Sequence, residues 1–329
     1  MPLIDSEILW RPAQTVSATA AQNGGRISIG ALVTSGVKNA MFPDVSQAER
    51  TAGLITWRKA FVHIANADSL PLLNARLYLD AQTPAGDFVT LHPGTQTDTE
   101  ATTTGRAYGI ATLAGAAIAT DTAIEIAPEN VAAYATLEPF RVGDVARISN
   151  KEVLGGSGTE EFVTVATVTA GATTLLTFTP ALANAYATAN TIVSSVIETA
   201  SIAASFGSVV VTSTAGTFDH ATAGNVTFNA ATLASLDLSL TFTSATEYDV
   251  INVATSAVIV TGNISATVAV PNGPTIIPAA FGGTWATNDT ITLTTTPAAF
   301  PLWYRREVPA GTVSVASDSA SVAVTGESA

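Results

Sequence analysis

Trp57-Arg58-Lys59-Ala60-Phe61-Val62-His63-Ile64 and Pro301-Leu302-Trp303-Tyr304-Arg305-Arg306-Glu307-Val308 are the stretches that decide the reading of this chain. Each sets aromatic and basic residues among apolar ones and reads as a β-strand, and the second repeats the style of the first after a long interval. From Lys151 to Arg305 that interval contains no Lys or Arg, while Glu152, Glu160, Glu161, Glu198, Asp219, Asp237, Glu247, Asp249 and Asp289 fall inside it. The basic residues lie in the two end portions, which marks the middle as separate domains. Residues 301–308 are therefore expected to pair back onto the first domain, with the middle as an insertion. Ordinary salt bridges have no cations to use inside that insertion, so apolar burial and sheet hydrogen bonds are expected to hold it.

Outward from these strands the pattern continues. Residues 72–79 place Leu73, Ala75, Leu77 and Leu79 on one face and Asn74, Arg76 and Tyr78 on the other, and 88–91 resume after the Ala85-Gly86-Asp87 turn. Ser46-Gln47-Ala48-Glu49 is a capping box that predicts a short helix over 46–52, closed by Gly53. Before it, Pro2, Pro12, Pro43 and Gly24-Gly25 oppose long helices and favour an extended arm, with Trp10 docked on a neighbour or on its own chain. Strands at 140–148, 161–168, 173–179 and 191–197 suit a small barrel, with one helical turn allowed at 180–186. Thr- and Val-rich strands between 206 and 296 suit a further sandwich, since branched Cβ atoms fit pleated strands.

The expected fold is mostly β: multi-domain antiparallel β-sandwich and small β-barrel modules with an extended N-terminal arm and little helix. The boundaries read from sequence are a docking arm at 1–45, a discontinuous sandwich of 46–125 with 299–329, a barrel-like insertion at 126–200 and a second sandwich at 201–298.

Composition narrows the function. Of 329 residues 12% are charged, against roughly 25% in an average soluble domain. A chain so poor in solubilising charge is expected to cover its surface with neighbours. The net charge of −13 argues against nucleic acid and anionic lipid as partners. Cysteine is absent, which excludes disulfides and thiolate metal sites. No basic-then-apolar leader is visible at the start, and the Ala-rich run 109–120 is too short for a bilayer.

The chemistry-bearing residues give no enzyme signature. His63, His92 and His220 are far apart and match no metal spacing; His63 reads as a packed strand residue, His92 and His220 as turn and loop residues. There is no Gly-x-Ser-x-Gly elbow, and Gly155-Gly156-Ser157-Gly158 lacks the Lys of a phosphate loop. Glu160 and Glu161 point to opposite faces of a strand. Asp80, Asp87, Asp98 and Glu100 lie near turns, where solvation competes with a Ca²⁺ role. Asn225, Asn263 and Asn288 begin chance glycosylation sequons. No cofactor and no catalytic or metal-binding residue is assigned.

The segments Ile4-Asp5-Ser6-Glu7 with Trp10-Arg11-Pro12, Phe42-Pro43-Asp44-Val45-Ser46-Gln47-Ala48-Glu49-Arg50-Thr51-Ala52-Gly53, and Trp303-Tyr304-Arg305-Arg306 with Val308-Pro309-Ala310-Gly311 resemble segments of structural proteins of tailed-bacteriophage virions. The likeness covers roughly the first 100 and last 30 residues; the middle is generic. It implies a non-enzymatic virion protein, made in the host bacterial cytoplasm, in a symmetric assembly with its own copies and other virion proteins. Trp10, Arg11, Trp303, Tyr304, Arg305 and Arg306 are the expected assembly contacts. A tail-tip, baseplate or neck scaffold is the leading reading. A capsid decoration protein and a module binding host surface glycan are the alternatives, and Trp285 near Asp289 is the sequence hint for glycan.

Overall fold

The computed structural model describes residues 2–81, 83–152, 155–315 and 318–328. Strand takes 45% of the chain and helix 6%, so the mostly-β architecture with little helix holds.

The first module is a sandwich. One sheet runs, in spatial order, Gly24–Ile27, Ile8–Thr15, Leu54–Ile64, Ala299–Val308 and Phe88–Pro93, every pair antiparallel. The late strand Ala299–Val308 sits between two early ones, with Trp303 opposite Lys59 on one side and His92 on the other. The facing sheet contains Ser321–Ser328, Leu72–Ala81 and the second half of Ile192–Ile202. Ala60, Val62, Ile64, Leu77, Leu79, Leu91, Leu302 and Tyr304 close the core between them, at the period of two that pleating dictates. Along Leu72–Ala81, Leu72 rather than Leu73 joins that core. Asn74 has φ of 48° and the register shifts opposite Thr325 and Glu327, so a bulge resets the alternation.

The segment expected as a free-standing arm carries the strand Ile8–Thr15, paired on both sides within this sheet. Trp10 meets Tyr304 edge-on at 6.3 Å, so its docking partner is its own chain. Pro12 is tolerated mid-strand because its carbonyl accepts from Ser28 N just past the end of Gly24–Ile27, where no ladder donor is required of it. The capping box forms as the sequence predicts: Ser46 N donates to Glu49 Oε2 at 2.7 Å and Glu49 N to Ser46 Oγ at 3.3 Å, opening the helix Gln47–Ala52.

The second module is a closed six-stranded barrel. Ile192–Ile202, Ile110–Leu113, Ala123–Ala127, Thr174–Thr179, Glu160–Thr169 and Val145–Ser149 pair in that order, and the last pairs with the first. The barrel thus takes in 110–113 and 123–127, ahead of the boundary read at 126. Its interior alternates as expected, with Ile124, Ile126, Val163, Val165, Leu176, Phe178, Ala146 and Ile148 inward. The helix Val131–Leu137, capped by Asn130 and unheralded in the sequence reading, turns Tyr134 inward so that its hydroxyl donates to Ile110 O. Residues 180–186 form no helix. Ile192–Ile202 belongs to two modules: residues 192–196 close the barrel, and 197–202 pair with Leu72–Ala81 in the sandwich.

The distal module is a sandwich whose main sheet includes Ser205–Phe206, Thr290–Thr296, Leu236–Phe242, Glu247–Asn252 and Ala257–Asn263. Short pairs such as Gly216–Phe218 with Phe281–Gly283 cover it. Leu238, Leu240, Phe242, Tyr248, Val250, Ile291, Leu293 and Trp285 form its core, and Phe242 stacks on Trp285 at 4.2 Å.

Candidate functional site: the outer face of the first sheet and the arginine staples

Alternation splits the six residues expected as assembly contacts between two faces. On the inner face lie Trp10 and Tyr304, and Arg306 stacks over Phe42 at 4.7 Å while donating to Pro43 O. On the outer face lie Arg11, Trp303 and Arg305, in register with Phe61, Lys59 and Trp57. Trp303 is 0% exposed, Tyr304 5% and Arg305 9%, so these three side chains serve the interior of their own chain. The long sequence separation between the covering loop at 94–106 and the sheet hid this from a strand-by-strand reading.

Around Trp303 the outer face holds a buried polar cluster. Lys59 Nζ lies 2.6 Å from Asp98 Oδ1, and Trp303 Nε1 donates to Asp98 Oδ2 at 2.9 Å. Lys59 also donates to Gly25 O at 2.6 Å and to Asp98 O at 3.1 Å. Burial pulls the Lys59 ammonium below its usual pKa, and Asp98 opposes that shift. Gly24 makes this fit possible: its φ is 108°, and a Cβ there would stand 2.6 Å from the Trp303 ring.

His92 lies in the strand Phe88–Pro93, not in a turn. Its Nδ1–H donates to Gly105 O at 2.9 Å and its Nε2 accepts from Thr90 Oγ1 at 3.0 Å. His63 accepts from Arg11 Nε at 2.8 Å through Nδ1 and donates from Nε2 to Ala230 O at 3.0 Å. Both imidazoles are held neutral, their pKa values pulled to about 4 by burial, with Arg11 beside His63 and Arg305 beside His92 adding repulsion. Their roles are to satisfy backbone carbonyls and to join loops to the sheet. His220 is exposed and stacks on Phe218.

Three acids of the cation-free stretch, Asp237, Glu198 and Glu160, find cations outside it. Arg26 pairs with Asp237 at 2.5 Å and donates to Ser235 at 2.7 Å, tying the first sheet to the distal module. Arg76 pairs with Glu198 at 2.9 Å. Arg147, fully buried, joins Glu160 at 2.5 Å within the barrel to Asp80 at 2.8 Å on the sandwich strand, and its guanidinium lies over Tyr78 at 4.5 Å. The expectation that salt bridges play no part in holding the insertion is therefore corrected. Such pairs form across its borders, because cations supplied by one segment meet acids supplied by another. Arg147 was legible only as a basic residue inside a strand.

The four carboxylates weighed for Ca²⁺ go to separate partners. Asp80 meets Arg147, Asp98 meets Lys59, and Glu100 accepts from Asn23 Nδ2 at 2.8 Å. Asp87 lies buried near Asp318 and Arg306. Glu160 and Glu161 diverge, the first to Arg147 and the second to the backbone of Ala183 and Asn184. Among the described residues no group of three His, Asp or Glu is placed to hold a metal, and no helix is long and apolar enough to cross a membrane. Trp285 is 4% exposed beneath Phe242, and Asp289 caps its loop by accepting from Ser213 and Ala286 N. That removes the sequence hint for a glycan platform.

Large apolar side chains are exposed elsewhere. Leu32 (57%) and Val37 (56%) lie on the irregular segment before the first helix, and Val313 (73%) on the segment after Ala299–Val308. The segment before the helix is tied to the first sheet where Val33 N donates to Trp10 O and Arg306 donates to Pro43 O, and the segment after Ala299–Val308 is tied to the helix where Gly311 N donates to Arg50 O. Comparison with known proteins gives no match among family models, curated proteins or solved structures.

Proposed function

We propose that this chain is a structural protein of a tailed-bacteriophage virion, a tail-tip, baseplate or neck scaffold that works by packing against its own copies and other virion proteins. The supporting observation is the exposure of Leu32, Val37 and Val313 on irregular segments that adjoin strands of the first sheet, in a chain with only 12% charged residues. Exposed apolar groups on Pro- and Gly-bearing segments are suited to a neighbour's surface. The contact residues of this proposal are therefore Leu32, Val37 and Val313, in place of the buried Trp303 and Tyr304. A capsid decoration protein would use the same surface at a different position in the particle.

The test is a double substitution, Leu32→Asp with Val37→Asp. The variant keeps the parent's circular dichroism and melting temperature but fails to enter particles, as seen by electron microscopy and protein gels of purified virions. Normal incorporation of the variant rejects the surface. A parent chain that remains monomeric at high concentration and is absent from any particle rejects the function.

A further inference from the structure

We propose that Lys59 and Asp98 condense into an intramolecular isopeptide bond, joining the strand Leu54–Ile64 to the loop that covers the outer face of the first sheet. The two side chains are 0% and 6% exposed, and Nζ stands 2.6 Å from Oδ1. The contact is a close, buried ion pair of amine and carboxyl group, and Oδ1 has no other hydrogen-bond donor. Nζ is aimed by the Gly25 and Asp98 carbonyls, and the carboxyl is fixed on its other side by Trp303 Nε1–H. The Phe61 and Trp303 rings, centred 4.9 and 5.7 Å from Nζ, exclude water.

Four physical arguments favour the reaction at this place. A fully buried ion pair seldom repays its desolvation, and a neutral amide removes both charges at once. Burial lowers the Lys59 pKa, which raises the share of free amine, the nucleophilic form. Fixed neighbours within van der Waals range react as if at very high concentration. The Trp303 N–H is placed to stabilise the oxygen on which negative charge develops.

The step balances without a further reagent. One proton passes from Nζ to Oδ1, giving a free amine and a carboxylic acid. The nitrogen lone pair attacks Cγ, and the C=O electron pair moves onto Oδ2, facing Trp303. A second Nζ proton passes to the hydroxyl at Oδ1 and the C–O bond breaks, releasing water as the C=O bond re-forms. The products are one secondary amide and one water from an ammonium and a carboxylate, so charge is conserved.

Mass spectrometry of the purified full-length protein tests this. The intact mass is expected to fall below the sequence mass by one water. A protease digest is expected to yield a branched peptide containing both Lys59 and Asp98, with no tryptic cleavage after Lys59. Lys59→Arg keeps the cation but cannot form this amide, and its mass is expected to equal the sequence mass. Should that variant fail to fold, the branched peptide of the parent protein still decides. A parent protein at full sequence mass overturns the proposal, as does a water loss that maps to any other residue.

Discussion

The outer face of the first sheet gathers Lys59, Asp98, His92 and Arg305 around Trp303, whereas the distal sandwich closes around Trp285 with Phe242, Tyr248 and Phe281 and has no Lys or Arg of its own. Both regions seat a glycine against the tryptophan. A Cβ on Gly24 would stand 2.6 Å from Trp303, and one on Gly216 would stand 2.5 Å from Trp285. The tryptophan nitrogens differ: that of Trp303 donates to Asp98, while that of Trp285 has no hydrogen-bond partner among the described residues. The first region depends on protonation states and specific partners. The second depends on shape and apolar area, so acid and charge deletion should separate the two.

The largest separation is expected on acidification. His63 and His92 are bound neutral, with folded pKa values of about 4 against 6.5 for the free side chain. Folded pKa values below the unfolded ones mean that their contribution is complete above pH 6.5 and is lost as the pH falls toward 4. Each histidine is expected to cost about 2–3 kcal/mol over that window. Hydrogen exchange corrected for intrinsic rates should show the first sheet opening while the main distal sheet stays protected. Equal loss of protection in both modules would break the contrast.

Arg147→Ala comes next, at about 3–5 kcal/mol, because it leaves Asp80 and Glu160 without their buried cation. Chemical denaturation should show the sandwich and barrel destabilised, with the distal module unchanged. The paired substitutions Gly24→Ala and Gly216→Ala sharpen the comparison further. Gly216→Ala should cost about 1–3 kcal/mol by overpacking alone. Gly24→Ala should cost about 1–2 kcal/mol more, because its φ of 108° adds backbone strain. Equal losses would mean that the strain at Gly24 is relaxed by the turn. The smallest effect expected is Ser46→Ala, about 1 kcal/mol from the lost cap, read as faster exchange confined to Gln47–Ala52.

Much of the fold was legible from alternation. The strands around Val163 and Leu240 follow a period of two, Leu77 and Leu79 keep it beyond the bulge near Asn74, and the box at Ser46 and Glu49 marked its helix without tertiary help. Ile8–Thr15 was obscured by Pro12, whose missing N–H matters only if a partner strand requires it. Ile110–Leu113 was obscured because it lies in an Ala-, Thr- and Gly-rich run with little contrast between faces. The candidate contacts were chosen as aromatic and basic residues in adjacent positions, but adjacency along a strand places neighbours on opposite faces. Which face is covered is set by residues 94–106, through pairings such as Lys59 with Asp98 that leave no local trace. A lysine followed by Ala60 and Phe61 in a core strand was the one signal that a buried acid had to arrive from elsewhere.

The strand Ile192–Ile202 carries a mechanical consequence. Its first residues are staves of the barrel and its last belong to the sandwich wall, and Ser194 Oγ also donates to Leu79 O at 2.5 Å. A torque on the barrel therefore reaches the sandwich through unbroken backbone rather than through a hinge. A load along this strand must shear many ladder bonds together instead of peeling them one by one, so the two modules move as a single stiff lever.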